Sequence, residues 1–137
     1  MKKTDINFKG KKALVVDDDQ DFLEQTNLIL SSLGFEVISA DSQKKAEELI
    51  EHIQYDIAVF DLMLENHDSG FILSYKSKKK NPDVPVIMVT AVSSETGISF
   101  DSTSNEEKSW IKADVLLNKG IRPEQLEKEI RRLLKWM

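Results

Sequence analysis

Hydrophobic and polar positions along this chain switch repeatedly between two periods, and each switch marks an element. Five short runs have strand character: ALVVD at 13–17, FEVISA at 35–40, DIAVFDLM at 56–63, VPVIMVTA at 84–91 and DVLLNK at 114–119. FEVISA alternates, whereas the others are nearly continuous apolar segments of the kind covered on both faces of a sheet. Between them, apolar residues recur at helical spacing. Phe22, Thr26, Ile29, Leu30 and Leu33 form a stripe that stops at Gly34. Ala46, Leu49, Ile50 and Ile53 form a second, with Asp41 or Ser42 as its N-cap. A third helix is expected from Ser69 to Lys80, stopped by Asn81-Pro82. Leu126, Ile130, Leu133 and Leu134 mark a last one, begun by Pro123 near its first position. Residues 93–113 are polar and Ser-rich, with a weak helical pattern from Glu106 to Ile111.

Strand–helix alternation of this kind predicts an α/β fold, a doubly wound five-stranded parallel sheet with helices on both faces. A length of 137 residues suits one domain with one core. The first eleven residues read as a polar N-terminal extension.

Composition narrows the chemistry. There is no cysteine, which removes disulfides, thiolate metal sites and cysteine nucleophiles. Only His52 and His67 could supply imidazole, which argues against a multi-histidine metal site. No apolar stretch approaches a membrane span and no signal-peptide pattern opens the chain, so a cytoplasmic protein without membrane contact is expected. A net charge of −5 argues against direct nucleic-acid binding. The basic run Lys76 to Lys80 reads as a solvated helix end that complements the dipole.

The polar residues that close the strands carry more information. In an open parallel sheet, ligands bind beyond the carboxyl ends of the strands. Here those ends are Asp17-Asp18-Asp19, Asp61, Thr90 and Lys119. Each has an ordinary explanation by itself: a capping aspartate, a β-branched strand residue, a solvated lysine. Their joint occurrence, nearly one per strand, does not. At an effective dielectric near 20, two carboxylates about 4 Å apart repel by roughly 4 kcal/mol. A hard cation such as Mg²⁺, which prefers oxygen ligands, would relieve that repulsion. A carboxylate beside it could attack a phosphoryl group, with the lysine and hydroxyl holding the transferring oxygens.

The pieces LVVDDD, VFDLML, MVTA and LLNKG, in that order, resemble the receiver domains of two-component response regulators. The likeness covers nearly the whole chain, with residues 12–137 as the receiver domain. It implies the flavodoxin-like strand order 2-1-3-4-5. It also implies Asp61 as the residue phosphorylated by a histidine kinase or phosphotransfer protein. Asp18 would ligate Mg²⁺ directly and Asp17 through water, with the Met63 backbone carbonyl completing the protein ligands. Thr90 would hydrogen-bond the phosphoryl group and Lys119 would pair with it. Asp19 would start the first helix.

Four departures from the family pattern stand out. Gly120 replaces the usual proline after Lys119. A cis bond there would cost roughly 3 kcal/mol without proline, so a trans peptide and a looser loop are expected. Leu116 replaces the usual switch aromatic, which puts the threonine–aromatic coupling in doubt. The loop LENHDSGF lacks a common proline and is longer than usual, and the span from Thr90 to Lys119 is also long. Within that span, Phe100 and Trp110 read either as core anchors or as part of a partner-binding face. His67 reads as a solvated loop residue. Met63 and Val92 occupy positions that influence hydrolysis in the family, and neither can orient water. Slow self-dephosphorylation is therefore expected, and no other enzymatic activity.

Two other readings compete with the switch: a degenerate receiver that docks partners without phosphorylation, and a Mg²⁺-dependent phosphohydrolase. Dehalogenase-like phosphatases need a second carboxylate two residues after the nucleophile, where this chain has Met63. The last helix runs almost to the final residue, which reads as a stand-alone receiver, with a fragment of a longer protein left open. Output is expected through protein contacts with an unspecified downstream protein, from a monomer or weak dimer.

Overall fold

The computed structural model describes residues 8–62, 64, 68–90, 113–120 and 123–134. Strands β1 (Lys12–Val16), β2 (Glu36–Ala40), β3 (Ile57–Asp61), β4 (Val86–Thr90) and β5 (Val115–Asn118) form one sheet, ordered 2-1-3-4-5. Every neighbouring pair is parallel. The helices among the described residues are α1 (Gln20–Ser32), α2 (Gln43–His52), α3 (Ser69–Lys80) and α4 (Pro123–Leu134). This is the doubly wound architecture that the alternation of periods predicts, in the flavodoxin-like strand order that the family resemblance implies.

Alternation along the strands divides the core in two. Ala13, Val15, Ile57, Val59, Ile87 and Val89 face α1 and α4, meeting Leu23, Leu30, Leu126, Ile130 and Leu134. Leu14, Val16, Ala58, Phe60 and Val86 face α2 and α3, meeting Ala46, Ile50 and Leu73. Both faces of the sheet are thus covered, which is why the central strands β1, β3 and β4 are nearly continuous apolar runs while the edge strand β2 alternates. The α1 stripe is rotated from the expected one: Leu23, Thr26 and Leu30 are fully covered, while Phe22 and Ile29 are half-buried beside them.

Most strands are shorter than their apolar runs because the flanking residues have other partners. Asp56 Oδ2 accepts from the Lys12 amide at 2.8 Å, and Asp114 Oδ2 accepts from the Val86 amide at 2.8 Å. These two carboxylates satisfy strand-opening amides on the edge opposite the candidate site. Of the two residues offered as caps for α2, Ser42 is the one used, its Oγ accepting from the Lys45 amide.

Phe8 falls within the stretch read as a polar extension, yet its ring is buried and stacks on Phe35 at 4.8 Å. Its amide donates to the Leu33 carbonyl at 2.8 Å. The crossing requires Gly34, which has φ +107° and where an added Cβ would sit 2.9 Å from the Lys9 nitrogen.

Candidate functional site

Register brings the polar strand ends together. Val16 aligns with Phe60, Asp61 with Val89, and Thr90 with Asn118. Asp17 therefore follows β1 beside the end of β3, and Lys119 follows β5 beside the end of β4. The Asp17 amide donates to the Ala40 carbonyl at 3.1 Å, and the Lys119 amide to the Thr90 carbonyl at 2.9 Å. Both residues are held by the sheet although they lie just past its strands.

The three aspartates after β1 have three different situations. Asp17 is fully buried, Asp18 is exposed, and Asp19 caps α1. Asp19 Oδ1 accepts from the amides of Asp21 and Phe22, at 3.0 and 3.3 Å. Its own amide donates to Asp17 Oδ1 at 2.9 Å. The helix-start role expected for Asp19 is what the geometry displays.

Asp17, Asp18 and Asp61 each place a carboxylate oxygen within 4.8 Å of the others. Lys119 reaches across the strand ends to two of them. Its Nζ donates to Asp17 Oδ1 at 3.0 Å and to Asp61 Oδ2 at 3.3 Å. Three carboxylates face one ammonium, so the cluster keeps an excess of negative charge. Burial pushes the Asp17 carboxyl above its ordinary value, against the pull of the Asp19 amide and of Lys119. Burial alone would lower the Lys119 ammonium, but Asp17 and Asp61 outweigh it and the net displacement is upward. Both groups hold their protons more tightly than usual, Asp17 because it is buried and Lys119 because two carboxylates face it.

One atom bears directly on a metal. Asp17 Oδ2 is buried and has no hydrogen-bond donor among the described residues. Lys119 Nζ lies 2.9 Å away and pairs with it electrostatically, but without hydrogen-bond geometry. An acceptor without a hydrogen-bond donor, in a cluster of oxygen ligands, suits a hard cation. The residues present fit such an ion.

Thr90 closes β4 and is buried, its carbonyl holding the Lys119 backbone. The loop after β3 is fixed at its far end by Gly70, whose amide donates to the Leu62 carbonyl at 2.8 Å. A Cβ on Gly70 would lie 2.6 Å from Leu62 Cα and 2.7 Å from the backbone carbonyl oxygen of Asp61, so only glycine fits without displacement.

A family model described as the response regulator receiver domain matches residues 13–131. The chain belongs to the receiver domain family of response regulators. Among curated relatives, this receiver is 33% identical over 123 residues to the heme response regulator HssR of Staphylococcus saprophyticus, covering 89% of this chain and 50% of that protein. It is 32% identical over 125 residues to the probable transcriptional regulator ycf27 of Porphyridium aerugineum, covering 91% and 48%. The receiver therefore spans about half the length of these relatives. Among solved structures, a CheY-like receiver domain protein from Methanospirillum hungatei JF-1 matches with a TM-score of 0.75 and 29% identity, covering 91% of this chain and 94% of that one. The DrrB receiver domain, solved in a BeF3-activated form, matches with a TM-score of 0.74 and 26% identity, covering 91% and 97%.

The receiver's fold gathers Asp17, Asp18, Asp61 and Lys119, with Thr90 on the same edge. Met63, His67, Val92, Phe100 and Trp110 lie outside the described residues. The peptide after Lys119 is trans, as expected with Gly120. The expected looseness of that turn is countered by Asn118, whose Oδ1 accepts from the Gly120 amide at 2.7 Å. Proline could not make this bond, having no N–H. Phe22 was visible in the sequence only as a stripe position, yet its ring stands under Lys119 Nζ at 5.2 Å. Its place three residues after a capping aspartate was the available signal. No helix among the described residues is long and apolar enough to cross a membrane.

Proposed function

We propose that this receiver domain is a phosphorylation-activated switch in which Asp61 accepts a phosphoryl group from a histidine kinase or phosphotransfer protein. The observation that carries this reading is the Lys119 ammonium held between Asp17 and Asp61, in a cluster of three carboxylates with a buried oxygen that lacks a hydrogen-bond donor. Mg²⁺, when bound, would supply charge neutralisation for the transferring oxygens. Asp17, Asp18 and Asp61 are the side chains that would hold it, with the Met63 carbonyl as a further ligand from the sequence pattern.

Asp61 acts as the nucleophile. Its carboxylate oxygen forms a bond to phosphorus as the bond from phosphorus to the donor imidazole nitrogen breaks, and the imidazole keeps the electron pair. Lys119 then exchanges part of its contact with Asp61 for a phosphoryl oxygen. Thr90 offers its hydroxyl to another. The added phosphoryl group, about −1.5 to −2 in charge, biases the receiver toward a second arrangement only as far as it interacts differently with the two. Output is a changed protein-binding surface, and the receiver performs no chemistry beyond its own phosphorylation and slow dephosphorylation. Activation of the similar DrrB receiver by BeF3 supports this reading.

Intact-mass spectrometry after incubation with Mg²⁺ and acetyl phosphate tests it. One phosphoryl adduct on the natural chain, absent from Asp61→Asn and decaying over minutes to hours, is expected. No adduct, with Mg²⁺ binding shown separately, would replace the switch with a phosphorylation-independent docking module. Steady turnover of small phosphate esters would favour a phosphohydrolase.

A further inference from the structure

Lys119 has to be placed with some accuracy by elements remote from it in sequence. It follows β5 on a short turn, and its flexible four-carbon stem must carry the ammonium to carboxylates 102 and 58 residues away. Those carboxylates are also the groups that a cation or a phosphoryl group would engage. A lysine held only by them would lose its anchors at the moment its position matters most.

The Phe22 ring supplies an anchor of a different kind. Lys119 Nζ lies over it, 5.2 Å from the ring centre, with the lysine side chain only 17% exposed. The face of an aromatic ring attracts an ammonium without using any of its hydrogen-bond donors. Those donors remain available to Asp17, Asp61 or a phosphoryl oxygen. The ring itself is well placed. Phe22 is half-buried against the core that includes Leu23 and Leu126, and it sits in the first turn of α1. Its amide is held by Asp19 Oδ1 at 3.3 Å. A continuous path therefore runs from Asp19 to Phe22 and from Phe22 to Lys119.

We propose that Phe22 is a positioning residue for phosphoryl transfer, its ring holding the Lys119 ammonium between Asp17 and Asp61 while the carboxylates change partners. This deepens the reading of Asp61 as phosphoacceptor and rests on it. It also gives the third aspartate a part in the site, as the cap that sets the ring.

The test compares the natural chain with Phe22→Leu, which keeps bulk and removes the ring, and with Phe22→Tyr, which keeps the ring. Thermal melts check that each chain is folded. In NMR spectra recorded without phosphodonor, the Lys119 Cε protons are expected upfield in the natural chain and in Phe22→Tyr, and close to ordinary lysine values in Phe22→Leu. The maximal rate of phosphorylation by acetyl phosphate at saturating Mg²⁺ should fall about two- to five-fold in Phe22→Leu. Half-saturation by the donor should stay unchanged, and Phe22→Tyr should restore the rate. An unshifted Lys119 in a natural chain that phosphorylates normally would overturn the proposal. So would Phe22→Leu at the natural rate, or Phe22→Tyr as slow as Phe22→Leu. A shifted Lys119 in a natural chain that never phosphorylates would overturn the Asp61 reading, and the positioning role with it, while leaving the contact in place.

Discussion

Replacing Asp17 with asparagine should stabilise this receiver without Mg²⁺ and destabilise it, relative to the natural chain, with Mg²⁺. The side chain is fully buried, and its carboxylate has a like neighbour, Asp61, within 4.8 Å. At an effective dielectric near 20, charges that far apart repel by roughly 3.5 kcal/mol. Lys119, about 3 Å away, returns attraction of similar or larger size, roughly 5 kcal/mol by the same arithmetic. What remains is the desolvation of a buried charge, and the upward displacement of the Asp17 pKa means that burial wins. The sign follows. A carboxyl whose folded pKa is raised contributes stability that is present below the unfolded value and lost as pH rises through the folded one. Once ionised, the group is therefore a net burden. The asparagine amide removes that charge while keeping the shape, and Lys119 keeps Asp61 as a partner, so a small gain of about 1 kcal/mol is expected instead of the cost of about 3–5 kcal/mol that follows when a buried charge is left unpaired. Mg²⁺ at a hundred times its dissociation constant should add about 2.7 kcal/mol to the natural chain and much less to Asp17→Asn. Urea melts in EDTA and in excess Mg²⁺ would display the crossing. The difference between the two chains in EDTA should shrink as pH falls through the raised Asp17 pKa. A variant less stable in EDTA by about 1 kcal/mol or more would mean that the Lys119 pair outweighs burial. Equal Mg²⁺ gains in the two chains would remove Asp17 from the cation site.

Gly70→Ala should lose about 1–3 kcal/mol in a urea melt, because the new methyl meets backbone atoms of Asp61 and Leu62 that cannot swing aside; an unchanged midpoint would refute the close approach. Lys119→Met should flatten the alkaline limb of the stability curve. The raised ammonium pKa contributes stability below the ordinary value of 10.5 that is lost as pH rises through the folded value, so identical alkaline limbs would count against its ion pairs. Tyr55→Phe should cost about 1 kcal/mol by taking away the 2.7 Å partner of the buried Ser77 Oγ. Adding Ser77→Ala should recover most of that loss, and a double variant as weak as the single one would point to packing instead.

The legible part of this protein is the part written in short periods. Strand runs, helical stripes and capping residues depend on neighbours two to four positions apart, and the sequence displays those spacings directly. The apolar character of the strands also implied a sheet covered on both sides. With the rule that ligands gather at strand ends, this was enough to single out Asp17, Asp18, Asp61, Thr90 and Lys119 as one group. The family motifs narrowed their roles further. Local reading was weaker where an element's rotation mattered. The α1 stripe could not say whether Phe22 or Leu23 faced the core, because the two lie about a hundred degrees apart on a helix and both are apolar.

What only the tertiary structure decided are relations between distant segments. Phe8 follows the polar opening of the chain, and only the crossing beside Gly34 shows that its ring completes the core. Among the described helices, α1 and α4 share one face and α2 and α3 the other, a pairing that no local period encodes. Three adjacent aspartates became a buried acceptor, an exposed carboxylate and a helix cap because β1 ends just before them and α1 begins just after. Lys119 meets Asp17 across 102 residues through the register of four parallel strands, and meets Phe22 because α1 starts at the same edge. Pairing and packing set those distances, and both are properties of the assembled sheet rather than of any stretch of chain.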